Sequence, residues 1–430
     1  MAFNQEEWEK RQYQRRQEQE RRLQAQKKLK IRLIIAAFVL VAVAAVCVAV
    51  MILVKEEPQP SAPETTVPSE STVSTKPLDP ETVITFAAAG DVNVTDKVVA
   101  SGGVMLDYNP IFQDVLSLLA DADLTAVNFE GNLVGAPYGS DNYSAPPQLL
   151  MALKNAGVDM VQFANSRTIS NGMTGLVTTL QSIRATGLEP LGVYNNNGEF
   201  EKSGGYTIWE TKGVKVAVVA FTKGMDSMAL PAGSEKCVNL LYEDYSSKYI
   251  KIDRDRITSV IRAAAAEKPD IIIALVHWGS EYNDTHAESQ PVIAELMFEL
   301  GVDAIIGSHP HYVQEMQYDP EKGTFLAYSL GDLLGDGEKS GTEYSVVLEL
   351  EITKNNRTGE AKITGYEYTP IFIYENDEGH MRVVRLAPAM LAYEQNFPSR
   401  VSDEIYHDMG YAAKRVEERI HPKKETEETK

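Results

Sequence analysis

The region around Ala274 to Gln314 constrains the fold of this chain more than any other. It contains two short apolar runs, Ile271 to Val276 and Ala304 to Ile306, which are typical of buried parallel strands. The segment between them, Ser289 to Leu300, has apolar residues at helical spacing and ends at Gly301. The sequence therefore predicts a strand–helix–strand unit.

Three of the seven histidines in the chain, His277, His309 and His311, follow directly after these two runs. In a parallel sheet, ligands bind in the crevice outside the carboxyl ends of the strands. The three imidazoles would emerge at that edge. The unit thus predicts one site that is rich in imidazole.

Charge and cysteine content exclude several classes of function. The chain has 430 residues and a formal net charge of −20, which argues against nucleic acid as a partner because its phosphates would be repelled. Of the two cysteines, Cys47 lies in an apolar run and Cys237 stands alone. An internal disulfide and a structural metal site of the cysteine type are therefore not expected.

The N-terminal part of the chain predicts a membrane anchor. Residues 1–32 form a polar arm that is basic on balance, and Leu33 to Val54 is an uninterrupted apolar run. At ~1.5 Å per residue this run spans the ~30 Å hydrocarbon core of a bilayer. A cleaved signal peptide is the alternative, but the run is longer than the usual apolar region and lacks a clear small-x-small cleavage site. Because the basic flank precedes the run, the N-terminus is expected in the cytoplasm and the main domain outside the cell.

The remaining chain predicts one folded domain between two polar segments. Residues 55–80 are rich in Pro, Ser, Thr and Glu and are expected to form a disordered spacer. Residues 81–398 alternate between strand and helix patterns, which indicates an α/β sandwich. Tyr344 to Thr353 and Ala361 to Thr369 predict an antiparallel hairpin. Residues 399–430 are predicted to form a charged, helical tail whose last residues are disordered.

Other polar residues follow strands of the same domain. Asp91, Glu130 and Asn165 come after its first three predicted strands. Together with the histidines, they make a carboxylate and imidazole set that suits hard or borderline divalent metals. The alternative is structural: an aspartate after a strand often caps a turn. A histidine pair such as His309 and His311, which flank a stiff proline, can also bond to backbone carbonyls.

At this point the sequence resembles a known family, the CapA-type proteins of poly-γ-glutamate capsule biosynthesis, whose domain is related to the calcineurin-like metallophosphoesterases. The motifs that carry the resemblance are, in the family's order, AAAGDV, NFEGNL, FANSRTISNG, VHWGSEY, IGSHPHYVQ and AYSLGD. The resemblance implies a metallophosphoesterase-like α/β sandwich at the cell surface. It also implies a divalent ion, manganese, zinc or iron, whose ligands would be Asp91, Glu130, His277, His309 and His311.

The sequence departs from the family pattern at two places. The family usually has Ala-Asn-Asn-His followed three residues later by Asp, whereas this chain has Ser166, Arg167 and then Ser170. The guanidinium of Arg167 neither binds a metal nor gives up its proton, so general-acid catalysis by a side chain at this position is lost. The usual Ser-Leu-Gly-Asn ends in Asp332 here.

Two functions therefore remain open. The first is a metal-dependent hydrolase or transferase, with His277 and His309 as catalytic residues and with Arg167 and Asn165 binding an anionic substrate. The second is a noncatalytic partner that binds the polymer or its synthase through a degenerate active site. In both cases the expected partners are poly-γ-glutamate, or another anionic cell-surface polymer, and a membrane synthase complex.

Overall fold

The computed structural model describes residues 80–397 and 401–422. The predicted cytosolic arm, the predicted membrane span Leu33 to Val54, the spacer up to residue 79 and the final residues 423–430 lie outside the described residues. Within residues 80–397 and 401–422, no helix is both long enough and apolar enough to cross a bilayer.

The strands form two mixed sheets. In chain order they are β1 (Glu81–Asn93), β2 (Leu124–Glu130), β3 (Met160–Gln162), β4 (Glu189–Leu191), β5 (Tyr206–Thr211), β6 (Val214–Thr222), β7 (Ile271–His277), β8 (Ala304–Ser308), β9 (Met316–Asp319), β10 (Thr324–Ala327), β11 (Asp332–Leu334), β12 (Tyr344–Asn355), β13 (Ala361–Glu375) and β14 (Met381–Arg385). The first sheet has the order β14-β13-β12-β1-β2-β3-β4, with β11 also paired to β1. The second sheet has the order β5-β6-β7-β8-β10-β9.

The α-helices connect the strands and flank the sheets. They are α1 (Asp96–Ala100), α2 (Leu116–Ala120), α3 (Pro147–Asn155), α4 (Gly172–Ala185), α5 (Asn197–Ser203), α6 (Arg254–Ala266), α7 (Ser289–Glu299), α8 (Leu386–Glu394) and α9 (Asp403–Ile420). Strands β1 to β4 pair in parallel, as do β6, β7 and β8, because helices cross over between them.

The apolar residues separate into three cores that define the layers. One core lies between the two sheets and includes Phe86 of β1 and Ile273 of β7. The outer face of the first sheet packs against α3 and α4, and the outer face of the second sheet packs against α6 and α7. Strands buried on both faces read as continuous apolar runs, which is why β7 and β8 were recognisable in the sequence. The predicted α/β sandwich is confirmed.

Most predicted elements are present, with specific corrections. The predicted hairpin is formed by β12 and β13, which pair antiparallel. Between β1 and β2 the helical pattern gives only short elements: α1, a 3-10 helix, Asn109–Phe112, and α2. The C-terminal helix α9 lies in the predicted charged tail, but its apolar face packs on the core between the sheets through Met409, Ala412, Val416 and Ile420. The folded body therefore extends beyond residue 398.

The end of β1 is arranged by a close backbone approach at Gly90. A Cβ atom at this position would lie 1.7 Å from the carbonyl oxygen of Gly331, so only glycine fits. The Asp91 N–H donates to that same oxygen at 3.0 Å. This contact places Asp91 beside Asp332, its register partner in β11.

Candidate metal centre

All five predicted metal ligands come together at the carboxyl ends of strands from both sheets. They form two groups in which one donor atom from each residue lies within 4.8 Å of the others. The first group is Glu130, His277 and His309, and the second is Asp91, Glu130 and His311. Each of the five residues is buried. Glu130 belongs to both groups, so its carboxylate is the donor that they share.

His277 presents a lone pair to Glu130. Its Nδ1 lies 3.3 Å from the Thr222 hydroxyl, which itself donates to the carbonyl oxygen of Gly224 at 2.9 Å. The hydroxyl must therefore accept from Nδ1–H, so that in the neutral tautomer Nε2 would carry the free lone pair of the ring. Nε2 lies 2.9 Å from Glu130 Oε1. Two acceptor atoms at this distance need a shared cation, either a proton or a metal ion.

His309 and His311 lie on a strained turn directly after β8. Both residues adopt left-handed backbone conformations, with φ of 92° and 59° respectively. Such conformations cost about 1–3 kcal/mol each in a non-glycine residue and persist where the surroundings fix them. The His309 N–H donates to Asp91 Oδ2 at 3.1 Å, and the Tyr282 N–H donates to the Pro310 carbonyl at 2.9 Å. These contacts hold both imidazoles at the site.

His311 is held by two carboxylates. Its Nδ1 lies 2.8 Å from Asp332 Oδ1 and 3.2 Å from Asp91 Oδ2. Burial lowers the pKa of His311, but the two carboxylates outweigh this and raise the pKa well above its ordinary value. Burial, together with repulsion by Asp91 and Glu130, raises the pKa of Asp332 to about 7 despite its contact with His311.

In the group of Glu130, His277 and His309, burial and the neighbouring charges favour a neutral His309 imidazole and an ionised Glu130 carboxylate. Burial and the neighbouring cationic groups lower the pKa of His309 well below its ordinary value. Burial raises the pKa of Glu130, but His277, His311 and Arg167 outweigh this and lower it to about 2. These are the protonation states in which both residues can ligate a metal.

The donor set fits a divalent metal. Among the described residues, His309 Nδ1 is buried without a hydrogen-bond partner. His277 Nε2 and Glu130 Oε1 lie 2.9 Å apart, so a cation, either a proton or a metal ion, must lie between them. Imidazole nitrogen with carboxylate oxygen is the ligand chemistry of zinc, iron and manganese in proteins. Glu130, His277 and His309 would hold one ion, and Asp91, Glu130 and His311 a second.

Asn165, which is predicted to bind substrate, lies within a hydrogen-bond network behind the ligands. Its Nδ2 donates to Asn128 Oδ1 at 3.0 Å and to the Phe129 carbonyl at 2.7 Å, and its Oδ1 accepts from the Arg167 N–H at 2.9 Å. Asn128 in turn donates to Asp91 at 2.7 Å and to Glu130 at 3.2 Å. Both amide hydrogens of Asn165 are therefore used, and the side chain orients its neighbours.

Arg167 lies at the edge of the cluster with its guanidinium in an ion pair with Asp226. Its Cζ lies 3.9 Å from the centre of the Tyr143 ring, and its Nε lies 4.0 Å from Glu130 Oε2. The side chain is 19% exposed, so it faces solvent at the mouth of the site. A planar guanidinium in this position suits carboxylate or phosphate recognition.

Two cavities flank the cluster. The first has a volume of about 130 Å³, and its lining includes Arg167, Tyr282, His311 and Lys339. The second has a volume of about 390 Å³, and its lining includes Lys223, Asp226, Tyr249, Glu281 and His309. The Arg167–Asp226 ion pair spans both, because Arg167 lines the first cavity and Asp226 lines the second.

Several residues of the site were not predicted from the sequence. Asn128 could have been found, because it lies two residues before Glu130 on β2 and therefore on the same face of the sheet. Asp332 was noted only as a departure from a motif, and its place beside His311 depends on the pairing of β11 with β1. Asp226 and Lys339 lie in loops that carry no local signal.

Comparison with known proteins agrees with the motifs. The family model described as bacterial capsule synthesis protein PGA_cap matches residues 85–337, more than half of the chain. The chain belongs to this bacterial capsule synthesis family. The matched region contains Asp91, Glu130, His277, His309 and His311, so the whole donor set of this family member lies within it.

Two curated relatives are similar to this family member. The capsule biosynthesis protein CapA of Bacillus anthracis is 24% identical over 284 residues, which cover 63% of this chain and 64% of the relative. The match therefore spans less than two thirds of that relative's length. The PGA biosynthesis protein CapA of Bacillus subtilis is 24% identical over 344 residues, which cover 75% of this chain and 81% of the relative.

The solved structures that are similar to this chain include a calcineurin-like phosphoesterase, YfkN from Bacillus subtilis. Its likeness to this chain has a TM-score of 0.42 and a sequence identity of 16%, and it covers 78% of this chain and 98% of that one.

Proposed function

We propose that this family member is a metal-dependent hydrolase or transferase in the synthesis of an anionic, γ-linked glutamate polymer at the cell surface. The observation that carries the proposal is the pair of buried donor groups that share Glu130. The polymer is inferred from the family and from the names of the relatives, which refer to capsule and PGA biosynthesis.

The residues of the site divide into those that hold the ion and those that hold the substrate. A divalent ion held by the donor set would supply Lewis acidity toward a carbonyl or phosphoryl oxygen. Thr222 keeps the proton of His277 on Nδ1, and Asn128 orients Asp91 and Glu130. Arg167 provides a cation at the mouth for a substrate carboxylate or phosphate.

A second function is favoured by one specific observation. The guanidinium of Arg167 is paired with Asp226 at the position where the family resemblance implies an acid imidazole. A site without that acid supports binding better than turnover. The second candidate is therefore a noncatalytic protein that binds the polymer, or the synthase that makes it, through a metal-loaded pocket.

We further propose that the protein is held in the membrane by Leu33 to Val54, with its α/β domain outside the cell. This arrangement would place the site beside a polymer emerging from a membrane synthase. The support is the apolar run and its basic N-terminal flank.

Incubation of the purified full chain with γ-linked glutamate polymer tests the choice between turnover and binding. The reactions contain manganese, zinc or iron(II), and the readouts are polymer length by gel filtration and new amino termini by amine labelling. The hydrolase proposal predicts metal-dependent shortening that is lost in the double variant His309→Ala with His311→Ala. Bound metal and bound polymer without shortening would overturn it in favour of the binding protein.

A further inference from the structure

Three cationic side chains around the metal centre each lie over a tyrosine ring. Lys223 Nζ is 4.7 Å from the centre of the Tyr249 ring, and Arg167 Cζ is 3.9 Å from that of Tyr143. Lys339 Nζ is 5.3 Å from the centre of the Tyr282 ring. An aromatic face attracts a cation and limits the positions that its flexible stem can adopt.

These three pairs are distributed across both cavities. Lys339, Tyr282, Arg167 and Tyr143 line the first cavity. Lys223 and Tyr249 line the second. The cations therefore occupy both sides of the metal ligands, with Arg167 at the boundary between the cavities.

Contacts with the ligands tie the two outer pairs to the metal centre. The Tyr282 ring centre lies 5.5 Å from that of His311, and Lys223 Nζ lies 3.5 Å from His309 Nε2. Lys223 also donates to the Gly279 carbonyl at 2.7 Å, which fixes its ammonium at the wall of the second cavity. One outer pair thus adjoins each of the two histidines on the strained turn.

We infer that these pairs form a cationic track that binds a linear polycarboxylate across the metal centre, with units of the chain on both sides of it. The inference rests on the proposed function and deepens it, because it specifies an extended chain bound along its length. A single carboxylate-bearing unit can reach only one cavity, whereas a longer chain reaches all three cations. Affinity should then rise with chain length, as for any multivalent ligand.

The track also explains how a chain with a formal net charge of −20 can bind a polyanion. Asp226 is neutralised by Arg167, while Glu130 and Asp332 face the metal ligands. The carboxylates of Glu281 and Asp336 remain on the cavity walls. Because the charge of Arg167 is shared with Asp226, the attraction is strongest at Lys223 and Lys339, and it should weaken as salt screens it.

The test is calorimetric titration of the purified full chain, with and without manganese, using γ-linked glutamate oligomers from the monomer to the decamer. Wild type is compared with the double variant Lys223→Gln with Lys339→Gln. The matched control is Lys322→Gln, because the Lys322 ammonium pairs with Asp319 on a turn that lines neither cavity. Metal content is measured for every variant, so that any disturbance of His309 is detected.

The track predicts that wild type binds the decamer more tightly than the monomer. The double variant should bind the decamer about tenfold more weakly, because it loses the binding free energy of two partly exposed ion pairs. The control should bind like wild type. Equal decamer affinity in wild type and double variant, at equal metal content, would overturn the track. Length-dependent binding without polymer cleavage would contradict the hydrolase alone, whereas cleavage with length-independent binding would contradict the track alone.

Discussion

Substitution of Glu130 by glutamine should weaken metal binding by at least about 100-fold while leaving the fold intact. Glu130 is the one residue shared by both donor groups, so the change removes a negative charge from each. Glutamine has nearly the same volume, and its amide N–H can donate to the lone pair that His277 Nε2 directs at this position, 2.9 Å away. The buried histidine therefore keeps a hydrogen-bond partner. Because His277, His311 and Arg167 lose the ionised neighbour whose pKa they hold low, the metal-free variant should nevertheless be less stable than wild type at neutral pH.

The size of the effect follows from the chemistry of the ligand. Loss of a residue that merely orients a ligand costs 10–100-fold in metal affinity, so loss of a shared, charged ligand should cost at least about 100-fold, or ~2.7 kcal/mol. Because a ligand that binds only the native state stabilises it by mass action, manganese at about 100 times its dissociation constant should add ~2.7 kcal/mol to the wild-type free energy of unfolding.

Thermal and urea unfolding with and without manganese or zinc measure both quantities. Wild type should be stabilised by the metal, whereas Glu130→Gln, which is less stable without metal, should gain at most about 0.4 kcal/mol at the same manganese concentration. His309→Ala and His311→Ala each remove a ligand from only one group and should retain part of the gain. Glu321→Gln, on an exposed turn, is the matched control. Metal stabilisation of Glu130→Gln equal to that of wild type would refute the shared-ligand arrangement.

Three further predictions concern other parts of the chain. Restoring the family pattern by Ser166→Asn with Arg167→His should raise metal affinity by ~10-fold or more, measured by metal titration, and unchanged affinity would show that no ligand is regained. Burial raises the pKa of Asp303 to about 6, so the native state holds this proton more tightly than the unfolded state and stability should fall as pH rises from about 4 to 6. Urea unfolding at a series of pH values measures this decline in the free energy of unfolding, and Asp303→Asn should remove up to about 3 kcal/mol of it. The same pH dependence in Asp303→Asn and wild type would contradict the raised pKa of Asp303. Protease added to intact protoplasts should release the domain that follows Val54, and protection of that domain would contradict the proposed topology.

The site was predictable where a buried strand leads directly into a polar residue. Asp91, Glu130 and His277 end long apolar runs, so their shared edge could be predicted from the parallel strand pattern alone. Asp332 could not be placed in this way, because β11 has only three residues and its position depends on non-local pairing with β1. The hydrogen-bond partners of Asn165 could not be predicted for a similar reason, because they are set by the neighbouring strand β2.

The same distinction holds for the fold. The apolar runs of β7 and β8 predicted two central strands of the second sheet, whereas β5, whose residues are mostly half-buried, carried no clear pattern. The sequence of the C-terminal helix α9 also contains an apolar pattern that predicts packing. Met409, Ala412, Val416 and Ile420 recur at helical spacing, which indicates a face that packs on a core. The charged residues between them obscured that face.

The central claim is that the imidazole and carboxylate cluster is a metal centre. Its most direct test is elemental analysis by inductively coupled plasma mass spectrometry of the purified full chain after equilibration with manganese or zinc and removal of free ion. Wild type and Arg167→Gln should retain bound divalent metal, because a guanidinium is not a ligand, and the double variant His309→Ala with His311→Ala should lose most of it. Wild type without bound metal, or a double variant that retains as much as wild type, would contradict it.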